Sequence, residues 1–175
     1  MKLITVTAIS LTRIVAITTI CTIFTIPGSA QSLSDVLDVV VPLKADRRTV
    51  EKLLGTPVQE DWKTQYKTDE LVVNVVFSPG KCEKIPTFGD RLDIEKDIVV
   101  EYQVILHERM ELASLSIDLK DFSLDTSGDL INFVTYRMKG GGTEIEVRIE
   151  EDLRFVRSVH RSPSQSERDA VTCRR

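Results

Sequence analysis

The sequence predicts an α+β fold, a mainly antiparallel sheet of about six strands with one or two short helices packed on it. Three patterns lead to this class. Thr143 to Ile149 alternates strictly between polar and apolar residues, as in a strand with one face in water. Trp62 to Phe77 contains two strand-like runs around Asp69-Glu70, which indicates a hairpin. Asp46 to Gly55 has helical spacing with a capping residue at each end.

Residues 1 to 30 are typical of an export signal. They contain no Asp or Glu, and their apolar core runs from Ile14 to Ile26. Pro27 and the small residues Gly28-Ser29-Ala30 then suit cleavage after Ala30. The core is shorter than the roughly 20 residues that span a membrane. We therefore expect a cleaved signal rather than a retained anchor, and an exported protein, periplasmic or extracellular, without a transmembrane span.

The composition of the 175-residue chain, 42% hydrophobic and 29% charged, is that of an ordinary globular protein and excludes a disordered one. Beyond the signal, 21 basic and 27 acidic residues leave a net charge of −6. This acidity disfavours binding to nucleic acid, whose phosphates attract basic surfaces. Residues 31 to 175 are long enough to bury one core, so we expect a single exported domain.

Two cysteines, Cys82 and Cys173, follow the expected cleavage site. In an oxidising compartment such a pair predicts a disulfide. The alternative is a redox-active or metal-binding pair of thiols. The sequence has no Cys-x-x-Cys motif and no histidine near either cysteine, which favours the disulfide. No cofactor is expected.

The expected domain begins with one segment of ambiguous structure and one helix. Leu33 to Val41 fits either a helix or a short strand, and Pro42 would end the helix. The helix begins at Asp46, a preferred N-cap residue, and its charged residues cover the opposite face. Its apolar stripe and its C-terminal stop are formed by Val50, Leu53, Leu54, Gly55 and Pro57.

Strands follow this helix. After the hairpin, residues 83 to 97 are polar and predict a long loop. Ile98 to Leu106 has strand character, and Glu111 to Leu119 predicts a short helix or an irregular turn. The last strands predicted are Ile131 to Met138, Thr143 to Ile149 and Leu153 to His160, with a Gly140-Gly141-Gly142 turn before the second and a polar tail from Ser162.

The run from Pro42 to Pro57 is similar to a motif of small exported bacterial proteins, in which a helix ending in Leu-Gly-x-Pro leads into a Val-rich hairpin. The first half thereby resembles the outer-membrane assembly lipoprotein BamE (the SmpA/OmlA family) and the β-lactamase inhibitory protein fold. Over most of its length the chain resembles a family of uncharacterised exported bacterial proteins, through Ser78-Pro79-Gly80-Lys81-Cys82 and the late Cys173.

These resemblances imply a binding or assembly role in the cell envelope. They also allow two BamE-like halves, residues 42 to 82 and 111 to 160. A lipid anchor is not expected, because Ile20 stands before Cys21 where a lipid-attachment signal has a small residue.

Residues suited to catalysis are few. Neither Gly-x-Ser-x-Gly nor His-Glu-x-x-His occurs, and His107-Glu108-Arg109 is more typical of a solvated turn than of an acid–base site. We therefore expect a non-enzymatic binding or envelope-assembly module that contacts a protein or an envelope component. The alternative is an exported hydrolase that uses carboxylates such as Glu101 or Glu108.

Two charge clusters allow further readings. The first cluster is acidic and consists of Asp90, Asp93, Glu95 and Asp97. Its carboxylates could bind Ca²⁺, but their spacing is not that of an EF-hand, which favours a solvated loop. An arginine-rich end could contact anionic lipid, polysaccharide or an acidic partner. We favour the alternative that the arginines of the last strand face water and pair with Glu144 and Glu146 across the sheet. The arginines of this end are Arg154, Arg157, Arg161, Arg168, Arg174 and Arg175.

Overall fold

The computed structural model describes residues 32–87, 89–115, 118–125, 133–148 and 155–173, without the side chains of residues 133 and 148. The expected export signal and the turn predicted at residues 150–152 lie outside the described residues. In chain order the elements are α1 (Leu33–Val39), α2 (Arg47–Leu54), β1 (Gln59–Glu60), β2 (Thr64–Lys67), β3 (Leu71–Phe77), β4 (Val99–Glu111), β5 (Phe122–Asp125), β6 (Phe133–Met138), β7 (Thr143–Arg148), β8 (Phe155–Arg161) and α3 (Gln165–Val171).

The described strands form one antiparallel sheet in the order β1-β2-β3-β4-β8-β7-β6-β5. The α+β class is confirmed, but the sheet has 8 strands rather than about six. The described chain also has three helices rather than one or two. The elements without a prediction are short: β1 has 2 residues and β5 has 4, and α3 lies in what was expected to be a polar tail.

The two faces of the sheet differ in what they carry. One face, called here the helix face, packs against α1 and α2 through the main core. Its central row is Val73, Val104, Val159 and Ile145, side by side on four strands and all fully buried. The other face, called here the open face, carries polar residues at the alternating positions. Burial of Tyr66 in the helix-face core raises the pKa of its phenol to about 12.

Helix α2 forms as its sequence predicts. The Asp46 carboxylate accepts a hydrogen bond of 2.8 Å from the Thr49 N–H, which caps the first turn. Val50 and Leu54 are buried against the sheet. The helix ends at Gly55, whose φ of +82° is a conformation that side-chain-bearing residues rarely adopt. A helix of 8 residues depends on this packing, because isolated short helices are unstable in water.

The ambiguous segment after Ser32 is helical. Ser32 and Asp35 form a capping box in which each side chain bonds to the other residue's backbone N–H. Leu33 and Val36 lie buried in the main core. The helix ends at Val39, before Pro42, so the burial of one apolar stripe decides between helix and strand.

Two predicted hairpins are present. β2 pairs with β3, and β6 pairs with β7 through the glycine turn, where Gly140, Gly141 and Gly142 all have positive φ. In β7, Ile145 and Val147 are buried while Glu144 and Glu146 lie on the open face. The predicted strand from Ile98 continues to Glu111, beyond Leu106, and short 3₁₀ turns at Leu112–Ser114 and Leu119–Asp121 follow it.

Residues 83–97, called here the strap, are more than the solvated loop that their composition predicts. Ile85 and Leu92 are 1% and 0% exposed and form a second small core with Val76 and Val100. The strap contains four apolar residues besides Pro86, namely Ile85, Phe88, Leu92 and Ile94, among many polar ones. It thus covers one end of β3 and β4 on the face opposite α1 and α2.

The predicted disulfide is present between Cys82 and Cys173, with Cα atoms 5.7 Å apart. It joins the start of the strap to the end of α3. A β-bridge between Leu92 and Thr172 reinforces this junction. No helix of the described chain is both long enough and apolar enough to span a membrane.

Candidate functional site

Two of the concave surfaces in the described part of the chain, one on each face of the sheet, are candidates for ligand binding. The first, called here the apolar groove, lies on the helix face and has a volume of about 540 Å³. The second, called here the polar hollow, lies on the open face and has a volume of about 250 Å³.

The apolar groove runs between α1 and the segment that follows β4. Phe122 of β5, Met138 of β6 and Thr143 of β7 contribute to its floor. Its apolar lining is Leu33, Leu37, Met110, Leu115, Phe122 and Met138. Phe122 pairs with Met138 across β5 and β6, so both project to the same face. The volume is within the range of about 300–1,000 Å³ typical of small-molecule sites.

Polar groups also line the groove, and Arg161 is the central one. Its Nη1 donates a hydrogen bond of 2.6 Å to the Leu37 carbonyl in the last turn of α1. Ser32, Ser34 and Asp38 line the same cavity from α1. The expectation that Arg161 faces water is wrong, because its register opposite Tyr102 and Thr143 places it on the helix face.

The polar hollow lies over the centre of the sheet. Its lining includes Asn74, Glu101, Gln103, Glu146, Ser158 and His160, with Glu144 and Lys63 beside them. The sheet register brings these side chains together from β3, β4, β7 and β8. Strands that are distant in sequence, such as β4 and β8, contribute neighbouring residues because they are hydrogen-bonded to each other.

Hydrogen bonds hold the polar hollow in a fixed arrangement. Gln103 Nε2 lies 3.4 Å from Ser158 Oγ, which donates a hydrogen bond of 2.7 Å to Glu146. Glu101 is only 8% exposed, and its carboxylate lies 3.4 Å from His160 Nε2. Each polar group thus has a partner that fixes its direction.

The cross-strand pairing expected for the arginine-rich end is present in part. Arg157 lies 3.8 Å from Glu146 in a bulge of β8. Glu144, however, pairs at 3.1 Å with Arg137 of β6 and not with an arginine of β8. Arg154, Arg174 and Arg175 lie outside the described residues.

The two carboxylates named for a hydrolase are far apart. Glu101 lies in the polar hollow, whereas Glu108 is exposed near the other end of β4, about 20 Å along the strand. His107 and Arg109 are exposed beside Glu108, and the Arg109 guanidinium lies 5.5 Å from the centre of the Phe155 ring. The structure therefore brings together Glu101 and His160, a pair that the sequence did not suggest.

Two of the four acidic residues named in the strap form ion pairs. Asp97 lies 3.2 Å from Arg47, and Glu95 lies 2.8 Å from Lys81. In the part of the chain that the structure describes, no group of three or more His, Cys, Asp and Glu residues is placed to hold a metal ion.

Most groove and hollow residues were missed from sequence. A polar residue at alternate positions of a strand predicts only a wet face, so Gln103 and Ser158 carried no further signal. Met110 and Met138 gave no signal either, because residues that are distant in sequence line the groove together. The usable signal was the alternation of Glu144 and Glu146, which placed them correctly on one face.

The described chain is a disulfide-closed α+β protein with one antiparallel sheet, and the groove and the hollow are two surfaces on it that are suited to ligands. Comparison with protein-family models, curated proteins and solved structures finds no match to the chain. The BamE-like motif and the two halves stay predictions from sequence.

Proposed function

We propose that the protein is an exported, non-enzymatic binding module that holds the chain of a single-chain amphiphile from the cell envelope in the apolar groove. The observation that carries this proposal is the groove itself, a mainly apolar cavity of about 540 Å³ between α1 and residues of β5, β6 and β7. The export pattern at residues 1 to 30 and the envelope-protein resemblance of residues 42 to 77 favour an envelope ligand.

The lining suits a flexible apolar chain. Burial of apolar surface contributes about 25 cal/mol per Å², which makes a lined cavity of this kind a binding site for hydrocarbon. Met110 and Met138 have unbranched side chains that adapt to variable ligand shapes. Leu33 and Leu37 give one wall a firmer apolar surface.

The polar groups suit a charged head group. Arg161 uses Nη1 on the Leu37 carbonyl and also contacts Tyr102. Its charge offsets that of Asp38 in the same lining, so that its remaining guanidinium N–H groups are available to a carboxylate or phosphate. The hydroxyls of Ser32 and Ser34 line the cavity on the same helix. An amphiphile would thereby satisfy both parts of the lining.

The proposal is tested by NMR on full-length protein with ¹³C-labelled methionine methyls. Two of the three methionines, Met110 and Met138, line the groove. We expect decanoate, titrated below its micelle concentration, to shift both methyl signals along saturating curves. Leu37→Gln should weaken this binding by about tenfold, because a polar amide replaces one apolar wall.

The matched control is Leu53→Gln. Leu53 is also a partly buried leucine of a helix on the same core, but it does not line the groove. Its effect on decanoate affinity should stay within about twofold. Methionine signals that do not move, or equal losses in the two variants, would contradict the proposal.

A second candidate, the carboxylate-dependent hydrolase, is supported by the placement of Glu101, Glu144 and Glu146 in one hollow. It ranks second because each carboxylate is already held by a basic partner or a hydroxyl. Hydrolysis of an ester or glycoside substrate that Glu101→Gln abolishes, with the fold unchanged, would favour it.

A further inference from the structure

The open face has a feature that the apolar groove does not explain. Polar side chains stand side by side on seven neighbouring strands, in hydrogen-bonding register across the sheet. This polar row is Gln65, Asn74, Gln103, His160, Glu144, Arg137 and Ser123. The polar hollow lies at the centre of the row.

We propose that the polar hollow is a binding site for an uncharged saccharide, and that the exposed Trp62, whose ring contacts Lys63 of the lining, takes part in the binding. The site is on the opposite face of the sheet from the groove, so this proposal does not depend on the amphiphile. A sugar ring presents hydroxyls that both donate and accept hydrogen bonds. The hollow offers both kinds of partner, with amide donors on Asn74 and Gln103 and carboxylate acceptors on Glu101 and Glu146.

The charge balance favours an uncharged ligand. The Glu101 carboxylate faces His160 at 3.4 Å, Glu144 faces Arg137 at 3.1 Å, and Glu146 accepts the Ser158 hydroxyl at 2.7 Å. A cation would have to displace these partners. An anion would meet three carboxylates at the same place, which disfavours it.

An extended peptide fits the hollow poorly. Peptides that add to sheets bind at an edge, where backbone groups are unpaired. The hollow instead lies over β3, β4, β8 and β7, whose backbones are hydrogen-bonded to each other. Recognition there has to come from side chains, as it does for small polar ligands.

Trp62 supplies the apolar surface that a sugar ring needs. It is 51% exposed although it is large and apolar, and it precedes Lys63, which lines the hollow. The Lys63 ammonium lies 4.4 Å from the centre of the Trp62 ring. Aromatic rings provide a flat apolar face for the C–H side of a sugar while hydroxyls bond to polar neighbours.

The single tryptophan makes the test direct, because Trp62 is the only source of tryptophan fluorescence in the full chain. The probes are cellotriose, chitotriose and maltotriose, with spermidine as a cationic comparison. We expect at least one trisaccharide at millimolar concentration to shift Trp62 emission along a saturating curve. Spermidine should leave the emission unchanged.

Variants locate the binding. Gln103→Ala should weaken the trisaccharide by about tenfold, the effect of losing one or two hydrogen bonds. Lys52→Gln, on α2 across the sheet, should leave the affinity unchanged. Circular dichroism during heating confirms that each variant folds, and calorimetry with Trp62→Ala should show weaker binding. The proposal is overturned by emission unchanged with all three sugars, by a response to spermidine alone, or by equal affinities of Gln103→Ala and Lys52→Gln.

Discussion

Val50 and Val58 carry the same side chain in opposite environments, which allows the contribution of burial to be measured at one residue. Val50 is 0% exposed in the main core, and Val58 is 58% exposed after the end of α2. Val50→Ala should lower the free energy of unfolding by about 2 kcal/mol, from lost burial plus the cavity left behind. Val58→Ala should change it by less than about 0.5 kcal/mol. Urea unfolding measures both, and similar losses would contradict the packing of α2 on the sheet.

Two helix-capping carboxylates predict how stability depends on pH. Hydrogen bonds from Thr49 lower the pKa of Asp46 below 3.8, and hydrogen bonds from Ser164 lower the pKa of Glu167 below 4.5. A carboxyl whose pKa is lower in the folded state stabilises that state at pH values above its unfolded pKa. This stabilisation is lost as the pH falls through the folded pKa.

Asp46 should therefore make the urea midpoint fall between pH 6 and about pH 3, whereas Glu167 should affect only the local opening of α3, which buries no residue. The fall should be less steep in Asp46→Asn, since Asn caps a helix without titrating. Asp69→Asn, in the β2–β3 hairpin, serves as the control with the same chemical change. If the urea midpoint falls as steeply with pH in Asp46→Asn as it does in Asp69→Asn, Asp46 does not contribute to the pH dependence.

At the scale of the element, α1 and α3 begin with the same capping box but differ in what they bury. α1 buries Leu33 and Val36, whereas α3 buries no residue. We expect Ser32→Ala to lower the global free energy of unfolding by about 1 kcal/mol. Ser164→Ala should instead speed local opening of α3 by about fivefold and leave the urea midpoint unchanged. Hydrogen exchange at the α3 amides measures the opening, and a lowered urea midpoint in Ser164→Ala would contradict it.

How far sequence predicts an element depends on how local its cause is. α2 was predicted with its caps because Asp46, Val50 and Gly55 act within one segment. β1 and β5 were missed because 2 and 4 residues are too few to show an alternation. α3 was missed although Ser164 and Glu167 match the capping-box pattern, since no apolar stripe follows them.

At the scale of the whole molecule, both candidate sites come from pairing that sequence does not reveal. Gln103 and His160 are neighbours because β4 pairs with β8, which joins the meander β1–β4 to the meander β5–β8. Nothing in either strand specifies that partner, since both have ordinary alternation. The sequence therefore shows that the site residues are polar, but only the pairing of the strands in the structure shows that they lie close together.

The position of the disulfide predicts that the strap and α3 depend on it more strongly than the main core does. It closes a sequence separation of 91 residues but joins only the strap and α3, outside the main core. Cys82→Ser/Cys173→Ser should lower the free energy of unfolding by up to about 4 kcal/mol, because the unfolded chain gains freedom. Hydrogen exchange should accelerate most at Ile85, Leu92 and α3, because the disulfide no longer holds the second small core and α3 together. In the double variant the amides of β4 and β8 should remain better protected than those of the strap, because they exchange only when the main core unfolds. Amides of β4 and of the strap with the same remaining protection would mean that the disulfide supports the whole sheet rather than this one junction.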